Sequence, residues 1–108
     1  IIHCTYQKTK TVIGKNVSIA HNAIVHGCTI EDNVLIGMGA IIMDYAIIKT
    51  GSIIAAGAVI LQHTIVETGS IYAGAPAKKV KEVSIEQAEV FLRTATNYIE
   101  YAKWFRKD

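Results

Sequence analysis

The residues between Ile13 and Ile71 repeat with a period of six, and this period constrains the fold more than any other feature of the chain. Read in steps of six, with one residue missing after Thr29, the chain has Ile or Val at ten positions: Ile13, Ile19, Val25, Ile30, Ile36, Ile42, Ile48, Ile54, Ile60 and Val66. Four positions after each of them stands a small or β-branched residue: Val17, Ala23, Thr29, Val34, Ala40, Ala46, Ser52, Ala58, Thr64 and Ser70. Such self-similarity is the sequence signature of a repeat architecture.

The two fixed positions of the hexad predict an all-β solenoid. The large aliphatic residue fills the interior, and the small residue lets the chain turn a corner without a clash. Coils of this kind stack, and each coil buries its aliphatic side chains against the next. The residue missing after Thr29, which we assign to a corner, predicts one tighter corner close to His26.

The segments that flank the repeat predict two regions. Residues 1–77 are assigned to the solenoid, with a short polar loop at Gln7 to Thr11, and the apolar start of the chain suggests that further coils precede it. Gly74 and Pro76 are turn signals at which the repeat ends. Residues 78–108 are assigned to a basic connector, Lys78 to Val83, and a C-terminal packing helix.

The predicted helix begins at Ser84, which forms a capping box with Gln87. Apolar residues then recur at helical spacing, and such a stripe is expected to pack against the solenoid or a neighbouring subunit. Its members are Ile85, Ala88, Phe91, Leu92, Ala95, Ile99, Ala102 and Phe105.

Composition excludes several classes of function. A formal charge of +2 is too small to indicate binding to nucleic acid or to a membrane surface. No apolar run reaches the length of a membrane span, and no signal peptide pattern is present. Two cysteines, Cys4 and Cys28, do not make a disulfide framework, so we expect free thiols in a reducing, cytoplasmic setting.

Three of the four histidines lie in the first quarter of the chain and are candidate metal ligands. His21 comes two residues after the interior Ile19, and His26 comes one residue after the interior Val25, so neither occupies a core position. They are either surface histidines or ligands. We expect their side chains to come from adjacent sides of one coil, separated by a corner. One chain could then not easily bring both to a single ion, whereas two chains packed side by side could. Three neutral imidazoles and one open position form a known catalytic zinc site.

Longer strings around these histidines carry a resemblance to a known family. They are Ile2-His3, then Ile19-Ala-His21-Asn-Ala-Ile-Val-His26-Gly-Cys-Thr-Ile, then Asp32-Asn-Val-Leu-Ile-Gly-Met-Gly-Ala40, and finally Tyr72-Ala-Gly-Ala-Pro-Ala-Lys78. Together they resemble the γ-class carbonic anhydrase-like family of hexapeptide-repeat proteins. The resemblance implies a left-handed parallel β-helix with a C-terminal α-helix, assembled as a homotrimer.

The resemblance also implies a function. It assigns His3 and His26 of one subunit and His21 of its neighbour as ligands of Zn²⁺, with Fe²⁺ or Co²⁺ as alternative metals. The activity it implies is a lyase reaction, the reversible hydration of CO₂ to bicarbonate by zinc-bound hydroxide at the trimer interface. The groups that organise the family's site precede the first ligand, so no further catalytic or cofactor-binding residue is assigned.

Two other functions stay open. The first is a hexapeptide acyltransferase that uses acyl-coenzyme A, although that class usually has a longer loop insertion and the repeat from Ile13 to Ile71 has none. The second is a non-catalytic trimeric scaffold that binds zinc. We interpret His63 as a surface histidine, and Cys4 and Cys28 as small packed residues. Asn22 is a weak candidate to support a ligand, and a corner asparagine is the preferred interpretation.

Overall fold

The computed structural model describes the backbone of residues 2–3 and, with their side chains, residues 10–84 and residue 86. Very short strands alternate with four-residue corners over most of this length. In chain order the strands are β1 (Ile2–His3), β2 (Val12–Ile13), β3 (Ser18–Ile19), β4 (Ile24–His26), β5 (Thr29–Ile30), β6 (Leu35–Ile36), β7 (Ile41–Ile42), β8 (Ile47–Ile48), β9 (Ile53–Ile54), β10 (Val59–Ile60), β11 (Ile65–Val66), β12 (Ser70–Gly74) and β13 (Ala77–Glu82).

Each strand from β1 to β9 pairs in parallel with the strand three places further along the chain, which makes the chain a β-solenoid with three sides. Sheet A contains β1, β4, β7 and β10, and sheet B contains β2, β5, β8 and β11. Sheet C contains β3, β6, β9 and β12, with β13 added at its end. The register is constant from coil to coil: Val25 pairs with Ile42, and Ile42 pairs with Ile60. The all-β solenoid predicted from the hexads is therefore confirmed.

The aliphatic position of the hexad forms the core. From the second coil onward these side chains are fully buried: Val25, Ile30, Ile36, Ile42, Ile48, Ile54, Ile60 and Val66. Burial of one such side chain contributes about 1.5–3 kcal/mol, so the stacked ladders supply most of the stability. In the first described coil Ile13 is 37% exposed and Ile19 only packs at the margin of the core.

The corners are β-turns whose third residue has a positive φ angle. The amide of Ala40 donates to the carbonyl of Gly37 over 3.3 Å, and Gly39 has φ = 68°. This is the geometry of a type II turn, in which glycine or asparagine is favoured at the third position. The following residue, the small position of the hexad, points into the interior and is buried, as Ala40 and Ala58 are.

One corner differs from the prediction. Cys28 occupies the buried corner position of its coil, and Thr29, to which we assigned that position, is the first residue of β5. The residue missing from the repeat therefore falls before Cys28, in the His26–Gly27 turn, and not after Thr29. Both Cys28 and Thr29 are small enough for a corner, so hexad counting could not separate them.

The end of the repeat also differs from the prediction. We expected a basic connector from Lys78 to Val83, but residues 77–82 form β13, which turns back and pairs antiparallel with β12. Lys79 on this strand forms ion pairs with Glu67 at 2.7 Å and with Glu82 at 3.6 Å. The C-terminal helix lies outside the residues that the structure describes, apart from Ser84 and Glu86, so the helix and the predicted domain boundary stay predictions.

No helix with the length and hydropathy of a membrane span occurs in the described part of the chain.

The buried corner gives a test of the register. Ala40→Leu should lower the free energy of unfolding by roughly 1–3 kcal/mol, because the extra atoms overpack a filled interior. Thr68→Leu places the same side chain at an exposed corner position and should have little effect. Denaturant unfolding at one fixed protein concentration measures both. Equal stability of the two variants would contradict the assigned register.

Candidate metal site

His3 and His26 lie on neighbouring rungs of sheet A. Strand β1 pairs with β4 so that the Cα of His3 lies opposite the Cα of His26. Neighbouring strands are about 4.8 Å apart, so the two residues occupy the same end of the sheet in successive coils. The side chain of His3 is not among those described. The register alone shows that the fold brings these two predicted ligands together.

His21 lies at the other end of the same rung. It is the second residue of the turn Ala20 to Ala23, it is exposed, and its carbonyl accepts a hydrogen bond from the amide of Gly39 at 3.0 Å. Strand β4 separates it from His26, a path of roughly 15 Å at 3.3 Å per residue. Zinc–nitrogen bonds are about 2.0–2.1 Å long, so His21 does not complete a site with His26 of its own chain.

Among the side chains that the structure describes, no group of three His, Cys, Asp or Glu residues could hold a metal ion. The structure thus brings His3 and His26 together and leaves His21 apart. We expected a corner to separate His21 from His26, whereas His21 itself occupies the corner and a strand separates the two.

Asp44 contacts His26 and was missed by the sequence analysis. Its carboxylate Oδ1 forms a hydrogen bond with Nδ1 of His26. The His26 side chain is 30% exposed and that of Asp44 is 14% exposed. Asp44 is the second residue of the corner that follows β7, one coil beyond His26. The tightened His26–Gly27 corner keeps His26 in strand geometry to the end of β4, beside this carboxylate.

This contact defines the orientation of the imidazole. An ionised carboxylate only accepts hydrogen bonds, so a neutral His26 must carry its proton on Nδ1. The lone pair is then on Nε2, the nitrogen on the other side of the ring. A carboxylate that holds the second nitrogen of a histidine is the usual support of a metal ligand. The signal available in the sequence was the spacing of about one coil between the two residues.

Asn22, which we considered as a weak support for a ligand, is a corner residue with φ = 61°. This conformation is one that asparagine tolerates better than most residues. The preferred interpretation as a corner asparagine is confirmed.

Tyr45 and His63 form an aromatic stack beside Asp44. They occupy equivalent corner positions in successive coils, with ring centroids 4.9 Å apart and planes within 8° of parallel. Both residues have φ = 63°. His63 is exposed, as we expected of a surface histidine, but it packs against Tyr45.

Cys28 is a packed residue and not an exposed ligand. It is 1% exposed, and burial raises the pKa of its thiol from 9.0 to about 11. The thiol is therefore protonated at neutral pH, which confirms the interpretation as a small packed residue. Cys4 lies outside the described residues, and its interpretation stays a prediction.

Comparison with known proteins identifies the family. A model described as bacterial transferase hexapeptide (six repeats) matches residues 10–42 and 27–62. The chain belongs to the hexapeptide-repeat family. It is 37% identical over 93 residues to gamma carbonic anhydrase 2, mitochondrial, of Arabidopsis thaliana, a match that covers 86% of this chain and 34% of that protein. It is 40% identical over 103 residues to a probable carbonic anhydrase of Methanocaldococcus jannaschii, a match that covers 95% of this chain and 64% of that protein. The resemblance to γ-class carbonic anhydrases is thus confirmed, and the chain spans a third to two thirds of these relatives.

Solved structures of the family agree with the fold. A hexapeptide transferase family protein from Anaplasma phagocytophilum is 38% identical with a TM-score of 0.89, and the match covers 96% of this chain and 60% of that one. Relatives of this hexapeptide-repeat chain therefore carry names from both the carbonic anhydrase and the transferase classes.

The contact between His26 and Asp44 predicts a tautomer that NMR measures. In the metal-free chain, neutral His26 should carry its proton on Nδ1, because Asp44 accepts there. Replacement of Asp44 by alanine should shift His26 toward the Nε2–H form. Ring-nitrogen chemical shifts report the tautomer, and exposed His21 serves as an internal reference. A His26 ring that is Nε2–H in the wild-type chain would contradict the assignment.

Proposed function

We propose that this chain is the solenoid part of a γ-carbonic anhydrase-like metalloprotein whose metal sites lie between adjacent subunits of a homotrimer. The observation that carries the proposal is the placement of the three histidines around sheet A. His3 and His26 share one end of the sheet, and His21 stands at the opposite end of the same rung. Similarity to γ carbonic anhydrases at 37–40% identity supports the same assignment.

The donor set fits a zinc ion. Imidazole is a preferred zinc ligand, and a ligating histidine normally donates its second N–H to a carboxylate or a carbonyl. Asp44 supplies that carboxylate to His26 and leaves Nε2 for the metal. In this proposal His3 and His26 hold the ion from one subunit, and His21 holds it from the next. Fe²⁺ and Co²⁺ suit the same nitrogen donors.

Rotational symmetry explains how an incomplete set becomes complete. In a ring of identical subunits, one edge of each subunit contacts a different edge of the next. Sheet A has His26 at one edge and His21 at the other, so a ring in which these edges meet forms one complete set at every interface. A closed trimer would then hold three such sets.

A bound metal would supply a Lewis acid that brings the pKa of a water ligand to about 7, the chemistry required to hydrate CO₂ to bicarbonate. The part of this chain is to position the donors. Asp44 fixes the tautomer and ring orientation of His26, and the corner hydrogen bond from Gly39 fixes the backbone of His21.

A second candidate is a hexapeptide acyltransferase. It is favoured by a Bacillus cereus structure that is provisionally described as an acetyltransferase, with 32% identity and a TM-score of 0.93. Such a protein would bind coenzyme A and would purify without stoichiometric zinc. A zinc-binding trimeric scaffold without activity is separated from the lyase by an assay of CO₂ hydration.

Complementation between two inactive variants tests the shared site. Chains with His21→Ala and chains with His26→Ala should each bind no metal at the interface. When the two are mixed during refolding, an interface between His26 of one variant and His21 of the other is complete. Random mixing makes about one interface in four complete. We expect about a quarter of the wild-type zinc content, with CO₂ hydration recovered in proportion.

Thr68→Ala serves as the control and should keep the wild-type metal content, because exposed Thr68 lies at the corner between sheets B and C, away from both edges of sheet A. Metal retained by the His21→Ala chain alone, or no recovery in the mixture, would contradict a site shared between subunits.

A further inference from the structure

The corners next to the candidate ligands expose apolar side chains on both edges of sheet A. On the edge that carries His21, the corner of the next coil presents Met38, which is 60% exposed. On the edge that carries His26, the corner of the next coil presents Tyr45, which is 48% exposed. Met38 and Tyr45 flank the outward Ile24, Ile41 and Val59 of sheet A, and exposed apolar side chains grouped on one face mark a contact surface.

The backbone at Tyr45 and His63 adds a second observation. Both residues have φ = 63°, a conformation that histidine adopts more often than most residues and that is rare and strained for tyrosine. The equivalent corner positions on the other edge, Gly39 and Gly57, carry glycine, which adopts this conformation without strain. Glycine would therefore relieve the strain at position 45, and the aromatic stack found there points to a use for its surface.

Symmetry fixes what this stack would face. A rotation about an axis parallel to the solenoid axis does not change the height of a residue, by which we mean its position along that axis. If the His21 corner of one copy meets the His26 corner of the next, the following corners must also meet. Met38 follows His21 directly, since the Gly39 amide donates to the His21 carbonyl, and Met38 then lies at the height of Tyr45.

We infer that Met38 of each copy packs on the Tyr45–His63 stack of the adjacent copy and forms the apolar part of the contact between subunits. This inference rests on the proposed function, because it uses the shared histidine site to set the pairing of the edges. The occupant of the surface is a second copy of this chain.

The chemistry of the two edges is complementary. A thioether packs favourably against an aromatic ring and adapts to its shape. In the next corner on the Met38 edge, Ala56 occupies the position equivalent to Met38. Its small side chain leaves room for His63 of the adjacent copy. Sheet A between the edges carries outward Ile24, Ile41 and Val59, all half-buried in one chain, and these would line the axis of the ring.

Opposite charges introduced on the two sides of the contact test the pairing of Met38 with Tyr45. Met38→Glu and Tyr45→Lys should each raise the dissociation constant of the assembly at least about tenfold, because each places an unpaired charge in an apolar contact. The double variant brings Glu of one copy against Lys of the next and should associate more tightly than either single variant. Sedimentation measurements on the 108-residue chain report the dissociation constant.

Val80→Glu is the matched control, since Val80 is 61% exposed on β13, at the end of sheet C. It should associate as the wild type does. Circular dichroism of each variant shows that the solenoid is retained, and the double variant contains both substitutions, so recovery also excludes misfolding as the cause.

The outcomes separate this inference from the proposed function. The Met38–Tyr45 contact would be overturned, even if the wild type binds zinc, by single variants that assemble like the wild type. It would also be overturned by a double variant whose dissociation constant is no lower than those of the single variants. A wild-type trimer without metal would overturn the proposed function, whereas charge-dependent association in that trimer would still support the edge contact.

Discussion

The constant register between coils determines where every functional group lies. Each coil must place an aliphatic side chain inward directly above the one before, as Val25, Ile42 and Ile60 do. Corners are consequently held in vertical columns, and residues about 18 positions apart become neighbours. The contact between His26 and Asp44 and the stack of Tyr45 on His63 are both consequences of this column arrangement. Local propensity decides little, because most strands contain only two residues.

The single shortened corner has a chemical consequence. One residue fewer between Val25 and Cys28 leaves His26 as the last residue of a three-residue strand, whereas most strands of the solenoid contain two. His26 is then half-buried beside Asp44 with a defined tautomer and not exposed on a turn. An irregularity in the repeat and a candidate metal ligand therefore coincide, and the ligand gains its carboxylate partner from the coil that follows.

Much of the fold follows from counting along the sequence. We could predict the interior positions, the solenoid and the separation of His21 from His26, because buried residues recur at fixed positions of the hexad. The corner at Cys28 was not, since Cys28 and Thr29 are similar in size and only burial tells them apart. Strand β13 was missed because charged residues such as Lys79 resemble a connector, although they also suit an edge strand. Asp44 was missed because its role depends on a neighbouring coil and not on a motif.

The proposed metal site is complete only between copies of the chain. The most direct test is the zinc content of the purified chain together with its mass in solution. We expect about one zinc per chain in a three-chain assembly, and chelation of the metal should weaken that assembly. Stoichiometric zinc bound tightly by a monomer would contradict it, because His21 and His26 of one chain lie at opposite ends of β4.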